Sequence, residues 1–218
     1  MATKRRASEA RQQQILAIAR EIIGKYGSEH VTIRRVARSA GISEAAIYRH
    51  FKSKTEILSM LLQDIEEMWM SEFDESATER SALDSVNDAL TRRISTAEQR
   101  GGVSFLVMAE IISLGERKLS AQAYRIVGRY VDRLSGLLLR GISEGEIRPD
   151  LDTSAVAMVA FGMVQGLVNV WSLGGRDFSL PERYAAMWKT FSEIVSQRPA
   201  SYARAAVGGI PSGSGGGQ

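Results

Sequence analysis

Apolar residues recur every three or four positions along most of this chain, and nowhere do they alternate long enough to suggest a sheet. The pattern predicts an all-α fold of roughly nine helices. Residues 1–7 are polar and basic and read as a mobile arm. From Ser8 the spacing turns helical, with Ile15, Leu16, Ala19, Ile22 and Ile23 on one stripe that stops at Tyr26-Gly27. Thr32 can cap a short helix whose Ile33, Val36, Ala37 and Ala40 face inward. Gly41 supplies the backbone freedom of a tight turn, and Ile42 plugs the angle between helices. Ser43 can cap a helix carrying Glu44, Ala45, Ala46, Ile47, Tyr48, Arg49 and His50. Ser53-Lys54-Thr55-Glu56 then forms a capping box that opens a helix over about 54–74.

Beyond that point the chain is helical almost throughout. Leu83, Val86, Leu90 and Ile94 form a stripe that starts at Ser81 and ends near Arg100-Gly101-Gly102. Val103–Leu114 is apolar on most sides, which predicts burial. Residues 121–142 repeat Tyr124, Val127, Val131, Leu134 and Leu138 at helical intervals. Asp152-Thr153 can cap a helix Thr153–Leu173, and Pro181 suits the first turn of a helix Leu180–Val195. After Pro199 the sequence drifts to Gly and Ser, ending IPSGSGGGQ, and reads as a flexible tail. The expected division is a three-helix head over 1–53, a body of about six helices over 54–197 and a tail over 198–218.

Charge separates head from body. Residues 1–54 hold twelve Lys/Arg against four Asp/Glu, a net of +8, and the remainder carries −5. A basic quarter on an acidic body points to a module that faces a polyanion. With no cysteine, disulfides, thiolate metal sites and cysteine nucleophiles are excluded. Both histidines, His30 and His50, lie in the head, and no nucleophile motif or phosphate-cradling glycine loop is visible. An enzyme is therefore not expected, nor a metal or a cofactor. The N-terminus has no apolar h-region, and the richest apolar stretch is interrupted by Gly162, Gln165, Gly166 and Asn169. These features predict a cytoplasmic protein with no membrane partner.

Five pieces carry a resemblance: Ile15-Leu16-Ala17 with Tyr26-Gly27, Thr32-Ile33 through Val36-Ala37, Ala40-Gly41-Ile42-Ser43, Ile47-Tyr48-Arg49-His50-Phe51, and Lys52-Ser53-Lys54. At these intervals they resemble the tetracycline-repressor (TetR) family of bacterial transcription regulators. The resemblance covers residues 11–60; further on it holds only in length, helicity and the GEIRPDLD stretch before the last two helices. It implies a helix-turn-helix head on a helical ligand-binding and dimerisation body. The expected function is a ligand-responsive repressor that binds a palindromic double-stranded DNA operator as a homodimer. The alternatives are a DNA-binding regulator without a small-molecule effector, or a ligand-dependent activator.

In a helix-turn-helix the second helix enters the major groove with its early residues over base edges. Here those are Glu44, Ala45, Ala46, Tyr48 and Arg49. The two alanines allow close approach and can touch thymine methyls, and Arg49 can fork onto a guanine. Glu44 either accepts from a cytosine amino group or serves as a first-turn acid on the helix dipole. Tyr48 and His50 look like backbone readers, as the resemblance suggests, and Thr32, Arg34, Arg35, Ser43, Lys52 and Lys54 are further phosphate candidates. A small, largely apolar effector would be lined by Phe105, Met108, Ile112, Tyr124, Val127, Leu134, Phe161, Gln165 and Asn169. The excess of apolar surface on the last two helices predicts a four-helix interface between copies. Its residues would be Val156, Val159, Ala160, Met163, Leu167, Trp171, Tyr184, Met187, Trp188 and Phe191, with Gly162 and Gly166 permitting close approach.

Overall fold

Nothing in the first seven residues breaks a helix, and in the computed structural model, which describes residues 2–73 and 80–197, α1 spans Ala2–Tyr26. The expected arm is thus helical: Ala, Lys, Arg and Glu are strong helix formers, so the helix continues past the end of its apolar stripe. After a 3₁₀ turn at Ser28–His30 comes α2, Ile33–Ala40, capped by Thr32, whose Oγ1 accepts from the Arg35 N–H at 3.1 Å. Gly41 sits at φ 66°, where a side chain would be strained, and this lets the Ile42 N–H reach back to the Ala37 carbonyl at 3.1 Å. Ser43 Oγ accepts from the Ala46 N–H at 3.1 Å and opens α3, Glu44–Tyr48.

This helix is shorter than the sequence pattern predicted. Arg49 and His50 lie in a closing turn, in which the His50 and Phe51 N–H groups both converge on the Ile47 carbonyl at 2.8 and 2.9 Å. Helix α4, Lys54–Met70, begins at the expected capping box. The Glu56 N–H donates to Ser53 Oγ at 3.2 Å, and the Glu56 carboxylate returns to the Lys52 N–H at 2.5 Å. It stops at Met70, where the Ser71 N–H donates to the Glu67 carbonyl at 3.0 Å; Asp74, its expected end, lies outside the described residues.

The body comprises α5 (Ala82–Gln99), α6 (Val103–Leu114), α7 (Arg117–Ser143), α8 (Thr153–Leu173) and α9 (Leu180–Val195). Ser81, Asp152 and Ser179 cap α5, α8 and α9 with side-chain oxygens. Helix α7 is the central post, packed on α4, α5, α6 and α8, and α9 closes over α5 and α8. Ile15 and Ile23 of α1, Leu58 and Leu61 of α4 and Val107 of α6 are all buried in one continuous core, so head and body share their apolar interior. The described residues hold no strand, only a β-bridge between Ile147 and Ser196. The Gly/Ser tail over 198–218 lies outside the described residues.

Helix α8 is long and apolar enough to cross a bilayer by composition alone, despite its glycines. One side, with Ala157, Ala160, Val164 and Val168, is fully buried against the body. The opposite side presents Met158, Val159, Val170 and Leu173 to solvent, Leu173 at 88% exposure.

Candidate nucleic-acid interface and interior site

The head presents one basic, hydroxyl-rich surface. Thr32, Arg34, Ser43, Glu44, Ala45, Tyr48, Arg49 and Lys52 are exposed, and Ala46 is half-buried. Ile47 and Phe51 are fully buried beneath them, which fixes the angle at which α3 leaves the surface. Tyr48 stands 53% exposed although it is a large aromatic ring with no buried role. Arg35 lays its guanidinium over the Tyr26 ring at 3.9 Å, and these two residues line a concavity of about 580 Å³ with Thr32, Arg34, Arg38 and Ser39. Arg38 and Tyr26 were missed as surface candidates; Arg38 lies four residues after Arg34, one turn along the same face.

Two of the expected phosphate ligands are tied elsewhere. Lys54 Nζ donates to the Glu110 carboxylate of α6 at 2.6 Å, so it joins head to body. His50 is half-buried, with Nδ1 3.4 Å from Ser8 Oγ of α1. Thr32 and Ser43 spend their hydroxyl lone pairs on helix caps, but both remain exposed.

The predicted pocket lining divides sharply. Phe105, Met108, Leu134 and Phe161 are buried, and Val127 is half-buried. Ile112 and Tyr124 point to solvent at 79% and 81% exposure, which removes them from the interior. Both lie in phase with buried residues of their own helices, Ile112 with Phe105 and Met108 and Tyr124 with Val131, so it is the packing of neighbouring helices and not the periodicity that leaves them uncovered. Gln165 and Asn169 hydrogen-bond each other at 3.5 Å on the outer side of α8. The expected interface residues split likewise. Ala160, Leu167, Trp171, Tyr184 and Phe191 are buried inside this chain, where they hold α8 and α9 to the body. Val159 is 60% exposed, and Val156, Met163, Met187 and Trp188 are half-buried.

The most unusual chemistry in the body was not anticipated. Arg93 of α5 is 2% exposed, its guanidinium 3.6 Å over Trp69 and 4.6, 5.0 and 5.5 Å from the rings of Tyr130, Phe161 and Phe105. Among the described residues, no hydrogen bond of ordinary length and angle reaches its three guanidinium nitrogens, the two carboxylate oxygens of buried Glu72 or the Tyr130 hydroxyl, although that hydroxyl lies close enough to Glu72 and Arg93 to bias both. Burial pushes the Glu72 carboxyl up to about 7, against the opposing pull of Arg93, of the Tyr130 hydroxyl and of Arg92. Burial likewise lowers the Arg93 pKa and raises that of Tyr130 well above the ordinary value. Arg92 holds the Glu72 backbone carbonyl at 2.7 Å, fixing the chain just past α4. The sequence did carry a signal for Arg93: it falls on the buried stripe of Val86, Leu90 and Ala97, where a charge has no ordinary reason to be.

A groove of about 730 Å³ lies between head and body, bordered by Arg20, Gly24 and Lys25 of α1, Leu61, Ile65 and Met68 of α4, and Val103 and Val107 of α6. Arg20 pairs with Asp64 across its floor at 2.6 Å. Arg176, in the α8–α9 connection, donates to the Gly101 carbonyl at 2.9 Å and to the Gly24 carbonyl of α1 at 3.4 Å. It does so from φ 68°, the one non-glycine residue in the left-handed region among the described residues.

A short recognition helix on a basic head, joined through one long helix to an all-helical body, defines a DNA-binding regulator of helix-turn-helix type. The family models agree: residues 15–61 match the bacterial regulatory proteins of the tetR family, and residues 62–193 match the C-terminal region of YsiA-like proteins. The chain belongs to the TetR family of transcriptional regulators. It is similar to the nucleoid occlusion factor SlmA of Mannheimia succiniciproducens, with 32% identity over 165 residues, 72% of this chain and 74% of that protein. It is 24% identical to the fatty acid metabolism regulator protein of Bacillus subtilis over 168 residues, covering 77% of this chain and 86% of that one. The solved structure of FadR from Bacillus subtilis in complex with stearoyl-CoA superposes with a TM-score of 0.71 at 23% identity, over 84% of this chain and 96% of that one.

Proposed function

We propose that the chain represses transcription as a homodimer on a palindromic operator and is released by a small acyl-type effector held in the body. The observation that carries this reading is the path of α4. Its first residue, Lys54, is pinned to Glu110 of α6, its middle borders the groove, and its last turns pack on Arg93 through Trp69. A ligand that displaces Met68 or Trp69 therefore moves the helix on which the head is mounted. Two recognition helices must lie about 34–36 Å apart to occupy successive major grooves. An effector that prefers a different spacing lowers DNA affinity by its differential affinity for the two states.

The exposed side of α8 supports the dimer. Val159, Val170 and Leu173 are solvent-facing, and a Cβ at Gly162 or Gly166 would meet nothing within 4 Å, so a second copy can approach closely there. Ile194 of α9 adds to the same apolar surplus at 58% exposure. On the head, Arg49 and Glu44 read bases, and Thr32, Arg34, Arg35, Ser43, Tyr48 and Lys52 hold phosphates. The likeness to a fatty acid metabolism regulator, and to a structure that holds stearoyl-CoA, supports an acyl effector.

Selection on random duplex DNA with the full chain, followed by gel shift with stearoyl-CoA and free fatty acids, tests the proposal. Enrichment of inverted repeats that lose protein on ligand addition is expected. Asymmetric single half-sites overturn the dimer, and shifts unaffected by any acyl compound overturn the effector. That second result would favour a factor that acts from DNA without small-molecule release, a reading supported by the 32% identity to a nucleoid occlusion factor.

A further inference from the structure

Arg93 poses a problem that the surrounding protein does not solve. Taking a guanidinium out of water costs several kcal/mol even after relaxation, and the cost is offset only by a partner of good geometry. Four aromatic rings face its π-surface, which attracts a cation but leaves the in-plane N–H donors unmatched. Among the described residues those donors close no hydrogen bond of good geometry, and neither does the Glu72 carboxylate, with the Tyr130 hydroxyl near both. A purely structural cation would have closed a well-aligned bond to Glu72 or Tyr130, whereas these three bias one another's charge from nearby without one. Here donor and acceptor are held near one another without meeting.

The void between them, of about 10 Å³, borders Met68, Glu72, Arg93, Arg100 and Ser104. Met68, Arg100, Val103 and Ser104 also line the head–body groove, so a thin wall of side chains separates the two spaces. Met68, unbranched and flexible, is the member of that wall best able to swing aside.

We infer that Arg93 and Glu72 form the polar end of the effector site, entered from the head–body groove past Met68, and that the effector carries a free carboxyl group. This rests on the reading of a small-molecule effector and sharpens its chemistry. The carboxyl oxygens accept the in-plane fork of Arg93 in bidentate fashion, and the proton that Glu72 readily keeps is shared between the two acids. A dianionic phosphate suits the place poorly, because Glu72 faces the same small space. The apolar chain of the ligand lies back along Ile65, Leu61 and Val107 toward the groove. Binding thus wedges the C-terminal half of α4 away from α5.

Titration calorimetry of the full chain with decanoate, decanol, methyl decanoate and stearoyl-CoA separates the possibilities. Decanoate is expected to bind at least tenfold more tightly than the alcohol and the ester. In Arg93→Met, shown to be folded by a cooperative melt, that preference disappears; in Glu72→Gln, which keeps a donor, it persists in weakened form. Equal binding of acid, alcohol and ester by the wild-type chain overturns the inference, as does an acid preference that survives Arg93→Met. Binding of stearoyl-CoA without discrimination for decanoate overturns the carboxyl assignment while leaving an acyl effector standing. Binding of none of the four overturns both, and a crystal structure with only water between Arg93 and Glu72 would then identify the cage as a hydrated core.

Discussion

The head and the body handle buried and exposed polarity in opposite ways. In the head the helix starts are satisfied within a few residues by Thr32, Ser43 and Ser53, and the charged side chains stand in solvent around a small apolar plug. In the body Arg93, Glu72 and Tyr130 sit in the interior with no well-aligned hydrogen bond among the described residues. The head, apart from the buried Nε of Arg20, is therefore largely satisfied as it stands and offers a fixed surface. The body holds polarity in reserve, which suits a part of the molecule that must exist in two states with similar energies.

That contrast can be broken at its strongest point by Trp69→Ala. The indole is 1% exposed and stacks on Arg93, so the variant should lose about 3–5 kcal/mol of stability in chemical denaturation. A loss under about 1 kcal/mol would mean the cage collapses readily and is not a built feature.

The next effect concerns pH. The Glu72 carboxyl titrates at 4.5 in its reference state and near 7 when folded, so between those values the folded chain holds the extra proton. Stability contributed by this group is complete below about 4.5 and falls as pH rises through 7, by about 3 kcal/mol at most. Glu72→Gln should flatten that fall, seen as a smaller drop in denaturation midpoint between pH 5 and pH 8 than in the wild type. Parallel curves for the two proteins would remove the titration from Glu72.

On the head, Arg49→Ala should relax preference at one operator position by about 1–3 kcal/mol in competition gel shifts, with little change at the others. A uniform loss at every position would make Arg49 a phosphate contact. Smallest is Ser43→Ala, which removes the cap of α3 and should cost about 1 kcal/mol in a thermal or chemical melt. No change would show that the buried Ile47 and Phe51 hold α3 without its cap.

The same contrast explains what was legible in the sequence. Caps are local, so Thr32, Ser43, Ser53, Ser81 and Asp152 could be read from neighbouring residues, and α8 and α9 take the bounds that their periodicity predicts. The length of α3 was overestimated because its end is set by Phe51 turning into the core, a tertiary effect. The pocket lining was harder. Apolar residues on a helix mark a core without saying how far along the helix its neighbours cover it: Ile112 shares a stripe with buried Phe105 and Met108, and Tyr124 with buried Val131, yet both stand exposed. Arg93 carried its signal as a charge within an apolar stripe, but Glu72 lies past the end of α4, where no period applies. Its partnership with Arg93 is visible only once α4 and α5 are packed together.

Arg176 carries a consequence for how the molecule is made. Its bond to Gly24 joins residues 152 positions apart, and its bond to Gly101 spans 75. During synthesis α1 emerges before the loop that latches it to the body, which follows only after α8. The strained backbone at φ 68° must be held by neighbours that fold earlier, Trp171 among them, whose ring lies 5.4 Å from the guanidinium. A nascent chain stopped before the α8–α9 connection would lack this latch between head and body. The α8–α9 loop thus adds its latch to a head and body that the shared core and the Lys54–Glu110 pair can already have joined, a late reinforcement of an existing seam.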